Sequence, residues 1–90
     1  MMSTMTLEEI QQDSIAMSVA HALQLANREA VAHGADPANW MITISADASQ
    51  PPTWWRIHYG PRDYVLRRGG DLTVTVDAAT GHVEQVVRGQ

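Results

Sequence analysis

The stretch "GGDLTVTVDAATGHVEQVVRG", residues 69–89, constrains the fold more than any other, because it spells two alternating strands about a single turn. Between Asp77 and His82 stand Ala78, Ala79, Thr80 and Gly81, a four-residue hairpin loop. Asp77 can accept hydrogen bonds from amides inside the turn, and Gly81 can take the left-handed conformation that returns the chain. Turn chemistry thus accounts for Asp77, Thr80 and Gly81 as structural residues. Counting outward from Asp77 opposite His82, Val76 meets Val83, Val74 meets Gln85 and Leu72 meets Val87 on one face. Thr75 then meets Glu84, Thr73 meets Val86 and Asp71 meets Arg88 on the other. One face is apolar, and the other is polar with opposite charges at its open end, as a cross-strand ladder requires. Gln85 and Val86 break the pattern. An edge position that leaves the Gln85 amide in reach of water or backbone is the expected reason, and a one-residue slip in register is the alternative.

Upstream, Thr6 through Glu9 reads as a helix start, with Asp13-Ser14 a second one. From either start, Ile15, Val19, Ala22, Ala26 and Ala30 form one stripe, and Gly34 followed by Pro37 stops the helix. Alanine along the stripe suits close approach of a helix to a sheet. Residues 40–46 alternate Trp40, Ile42 and Ile44 against Met41, Thr43 and Ser45; after the Pro51-Pro52 loop, residues 54–59 set Trp55, Ile57 and Tyr59 against Trp54, Arg56 and His58. The expectation is therefore α+β: one domain over residues 1–90, with a long N-terminal helix at about 7–33. It packs on a four-stranded antiparallel sheet with strands at about 40–46, 54–59, 71–77 and 82–88, in the order α-β-β-β-β. The helix stripe, Trp40, Ile42, Ile44, Trp55, Ile57, Leu72, Val74, Val76, Val83 and Val87 form the expected core. The opposite sheet face should carry Trp54, Arg56, His58, Thr73, Thr75, Val86 and Arg88.

Ninety residues with 44% apolar and 18% charged composition describe one globular core, and no apolar run reaches the roughly 18 residues of a spanning helix. Neither a membrane span nor a secretory signal is legible at the N-terminus, so a cytoplasmic protein is expected. With no cysteine, disulfides, thiol nucleophiles and thiolate metal sites are excluded. The net charge of −4 argues against nucleic acid as a partner. The histidines at 21, 33, 58 and 82 show no ligand spacing, so neither metal nor another cofactor is expected. Gly69-Gly70 precedes a strand, whereas phosphate loops lead into a helix. His58, Tyr59 and Asp63 are the one acid/base grouping, and alternation puts His58 and Tyr59 on opposite faces, so no catalytic residue is assigned and an enzyme is not expected.

A partner-binding set is more legible. Trp54, Arg56 and His58 lie on the polar side of one strand, and Arg62, Arg67 and Arg68 follow in the next connection. Tryptophan and arginine are enriched at interface hot spots. Trp54 is open between that use and a packing role, either under the proline loop or in a homodimer.

The residues from Trp54 to Val87, with their Gly69-Gly70, apolar strand and Asp77-x-x-Thr80-Gly81 turn, resemble the C-terminal part of small bacterial immunity proteins of NTF2-type fold. The same strand-turn-strand is similar to the PepSY domain. Resemblance to the first implies a cytoplasmic inhibitor that binds and occludes a cognate toxin or effector; resemblance to the second implies a regulator or inhibitor of a peptidase. A small enzyme with an NTF2-like pocket is the third implied reading.

Overall fold

The computed structural model describes residues 6–46, 49–62 and 70–89. Two helices, α1 (Leu7–Gln11) and α2 (Ser14–Ala32), precede four strands: β1 (Met41–Ala46), β2 (Trp54–Gly60), β3 (Leu72–Asp77) and β4 (His82–Arg88). The strands form one antiparallel sheet in the order β1-β2-β3-β4, and α2 packs across one face of it.

Both helix starts in the sequence are used, and the single helix expected over 7–33 is divided between them. Thr6 Oγ1 accepts from the Glu9 amide at 3.1 Å, and Asp13 Oδ1 accepts from the Ala16 amide at 2.9 Å. Asp13 takes an extended conformation at the head of α2, as an N-cap must, and the helical run from Thr6 ends there. Ile15 follows directly and is 67% exposed instead of buried, about one turn ahead of Ser18, which is hydrogen-bonded to Trp55 of the sheet.

Ala22, Ala26 and Ala30 are completely buried against Ile57, Tyr59, Leu72, Val74 and Val76. Small side chains at this stripe let the helix backbone sit close to the sheet, and the large residues of β2 and β3 fill the space. Each fully buried Val or Ile contributes roughly 1.5–3 kcal/mol of transfer free energy. Two polar rungs set the helix in place: Trp55 Nε1 donates to Ser18 Oγ at 2.9 Å, and the Tyr59 hydroxyl donates to Asn27 Oδ1 at 2.6 Å. The spacings match. Ser18 to Asn27 covers about 13.5 Å of helix, and Trp55 to Tyr59 covers about 13 Å of strand, at 1.5 and 3.3 Å per residue. The helix therefore runs in the direction of β2. Burial of the Tyr59 ring raises its hydroxyl from 10.0 to about 12.

The β3–β4 ladder departs from the uninterrupted register at one point. Asp77 faces His82 and Val76 faces Val83 as counted, but a β-bulge between Thr75 and Val76 leaves Glu84 without an opposite number. Thr75 then faces Gln85, Val74 faces Val86, Thr73 faces Val87 and Leu72 faces Arg88. Gln85 is exposed on the edge strand β4, as expected, and in place of a wholesale slip one extra residue re-sorts the faces beyond the bulge. Val86 packs against the core and Val87 is 47% exposed. Arg88 lies on the helix side, where Nη2 donates to the His33 carbonyl at the end of α2 at 2.6 Å, so it does not pair with Asp71. Ile44 and Val83, expected in the core, are each 37% exposed: α2 lies over β2, β3 and β4 and is off-centre from β1, and Val83 sits at the outer edge of the sheet.

Candidate functional site

Alternation along β2 turns Trp55, Ile57 and Tyr59 toward α2, which turns Trp54, Arg56 and His58 to the other face. The register builds rows across that open face. Ser45, Arg56, Thr75 and Gln85 form one; Thr43, His58, Thr73 and Val87 form the next. Among the described residues every side chain in these two rows is half-buried or exposed, so the face is mostly polar, with an arginine and a histidine at its centre.

Trp54 closes one end of the face. It stands opposite Asp77, whose carboxyl pKa its side chain helps to lower. The same carboxylate accepts from Thr53 Oγ1 at 2.9 Å and from the Ala79 amide at 2.9 Å, while Gly81, at φ 77°, donates its amide to the Asp77 carbonyl at 2.8 Å. Desolvation raises the Asp77 pKa, but the hydrogen bonds from Thr53, Ala79, Trp54 and Thr80 outweigh it and hold the group below the ordinary carboxylate range. Asp77 and Gly81 thus have the turn roles assigned to them. Thr80 joins them through Oγ1, which accepts from the His82 amide at 3.3 Å. Trp54 stands at the start of β2 opposite Asp77, beside the β3–β4 turn.

His58 marks the middle. Its Nε2 lies 2.9 Å from Asp71 Oδ2, with both side chains about one-third exposed. Gly89 makes this possible: its amide donates to the Asp71 carbonyl at 2.9 Å, and a Cβ there would run into the Asp71 carboxylate. Sequence reasoning paired Asp71 with Arg88 and missed His58. The signal was present, because Thr73 faces His58 and Asp71 lies two residues from Thr73 on the same side, a diagonal neighbour.

Arg62 is not part of this group. Its Nε donates to the Asn39 carbonyl at 2.7 Å, so it clasps the approach to β1 at the far end of β2 from Trp54. Arg67 and Arg68, like Asp63 and Gly69, lie outside the described residues.

A shallow cleft of about 70 Å³ opens where Gln50, Trp54, Trp55, Arg56, Thr75 and Gln85 meet. Small-molecule sites occupy roughly 300–1,000 Å³, so this cleft has room for one side chain of a partner and not for a substrate. Among the described residues no group of three or more His, Asp or Glu is placed to hold a metal ion, and no helix is long and apolar enough to cross a membrane. In comparisons with known proteins, no family model, no curated protein and no solved structure matches this chain.

Proposed function

We propose that this protein is a non-catalytic binding module that docks a protein partner on the open sheet face, and that the partner is a cognate toxin or effector occluded in the cytoplasm, as for an immunity-type inhibitor. The observation that carries this reading is the placement of Trp54, Arg56 and His58 along one strand, on a face that no described helix covers. Arg56 lies between the Trp54–Asp77 and His58–Asp71 contacts, in the cleft whose size fits a single inserted side chain. A face with fixed polar groups and a central arginine suits protein recognition, where a few anchors carry most of the affinity.

The test is affinity capture from the native host, identification of what is retained, and calorimetry on the reconstituted pair. A stoichiometric toxin or effector is expected, with Arg56→Ala and Thr75→Arg each weakening its affinity at least about tenfold, near 1.4 kcal/mol. Unchanged affinity in both variants rules out this face. The PepSY-like reading has one observation in its favour, the helix leading into strands whose last pair is joined by the Asp77-x-x-Thr80-Gly81 turn. Inhibition of a peptidase by the purified protein, with no toxin captured, selects it.

A further inference from the structure

The sheet has two edges, and they are built differently. β4 carries the bulge at Glu84, charges at Glu84 and Arg88, and a contact from Arg88 to the end of α2. These are devices that keep an edge from pairing with another chain. β1, "MITISA", has none of them: it contains no charge and no proline, it pairs with β2 in unbroken register from Met41 opposite Gly60 to Ala46 opposite Trp55, and five of its six residues are exposed. Among the described residues no strand pairs with its outer side, which offers a row of backbone donors and acceptors.

We propose that β1 pairs antiparallel with β1 of a second copy of this chain, joining two four-stranded sheets into one of eight. Two adjacent antiparallel strands related by a two-fold axis need that axis perpendicular to the sheet, and residues directly opposite each other point to the same face. The axis then passes midway between two copies of one residue. Centred on Thr43, it sets Ile42 opposite the partner's Ile44 and Met41 opposite the partner's Ser45, with both helices on one side of the joined sheet. The side chains argue for a second copy as the occupant. Half-buried Ile42 packs at the margin of the core and Ile44, 37% exposed, lies beyond it on the same helix side, so the pairing gathers four isoleucines into one apolar patch continuous with the two cores. The chain has a net charge of −4, yet this seam is neutral, so two copies meet along it with no like charges opposed.

The chain has no cysteine, which makes the axis directly testable. Opposed residues of an antiparallel pair have Cα atoms about 4.5–5.5 Å apart, within the roughly 4.4–6.8 Å that a disulfide spans. Sedimentation velocity over a concentration series should show a wild-type dimer, and Thr43→Cys should become a covalent dimer under mild oxidation while Val87→Cys, on β4 at the opposite edge, does not. Ile44→Lys should halve the sedimenting mass with an unchanged circular dichroism spectrum. The proposal is overturned if the wild type is monomeric at every concentration, if Ile44→Lys remains a dimer, or if Val87→Cys cross-links and Thr43→Cys does not. Because the seam meets the open face only at β1, through Thr43 and Ser45, and Arg56 stands on the next strand, loss of partner binding in Arg56→Ala and loss of the dimer in Ile44→Lys are separate results.

Discussion

Val86, and not Gln85, stands opposite Val74 across the β3–β4 ladder, because Glu84 is carried as a bulge. Val86 then joins the packing around the core and Gln85 lies in the exposed row with Arg56 and Thr75. Substitution reads this arrangement out. Val86→Ser should cost about 1–2 kcal/mol in urea unfolding, whereas Gln85→Ser should stay within about 0.5 kcal/mol. The reverse ranking would restore the uninterrupted register.

Tyr59 is a second point of control. In Tyr59→Phe, Asn27 Oδ1 loses its hydrogen-bond donor, and a loss of about 1–2 kcal/mol is expected. The pH dependence has a definite sign. The folded state holds the phenolic proton up to about 12 while the unfolded chain releases it near 10.0, so the contribution of this group is complete below 10.0 and is lost as pH rises toward 12. Alkaline melts of the wild type should therefore fall more steeply than those of Tyr59→Phe over that interval.

At the turn the sign is opposite. The Asp77 pKa is depressed in the folded state, so its contribution is present above the ordinary carboxylate range and disappears as pH falls through the lowered value. Asp77→Asn should be less stable than the wild type at neutral pH, with the gap closing in acid. Thr53→Val removes one donor and should move the Asp77 carboxyl upward, measured by NMR titration of its side-chain carbon.

The alanine stripe predicts intolerance of size. Ala26 is completely buried between α2 and the sheet, so Ala26→Leu should lower stability by about 1–3 kcal/mol through overpacking, seen as a lower thermal midpoint. Ala20, on the exposed side of the same helix, should accept leucine with little change.

Most of the fold was legible because it rests on local signals. Apolar period and turn chemistry placed all four strands, their order and the face presented by Trp54, Arg56 and His58. What escaped was set by interactions between elements. A bulge costs one residue and leaves the composition of β4 unchanged, so Gln85 and Val86 showed only as a pattern defect. Nothing in the sequence says that α2 lies off-centre, and the exposure of Ile44 depends on that offset. Tyr59 alternates correctly with Ile57, yet its place in the core depends on Asn27 reaching its hydroxyl. The candidate set was read as side chains for a partner, yet within the fold His58 already lies against Asp71 and Arg62 donates to the Asn39 carbonyl, contacts that only the folded geometry brings about.

The meander order of the sheet also bears on how quickly the molecule can form. Every strand pairs with its neighbour in sequence, so successive hairpins can zip without first closing a long loop, and chains of low contact order fold fast. The contacts that span the sequence are those of α2, from Ser18 to Trp55, from Asn27 to Tyr59, and from the end of α2 at His33 to Arg88, 55 residues away. Docking of the helix is thus the step that carries the loop-closure entropy, and the rate of folding should respond to Ala22 and Ala26 far more than to the residues of the β3–β4 turn.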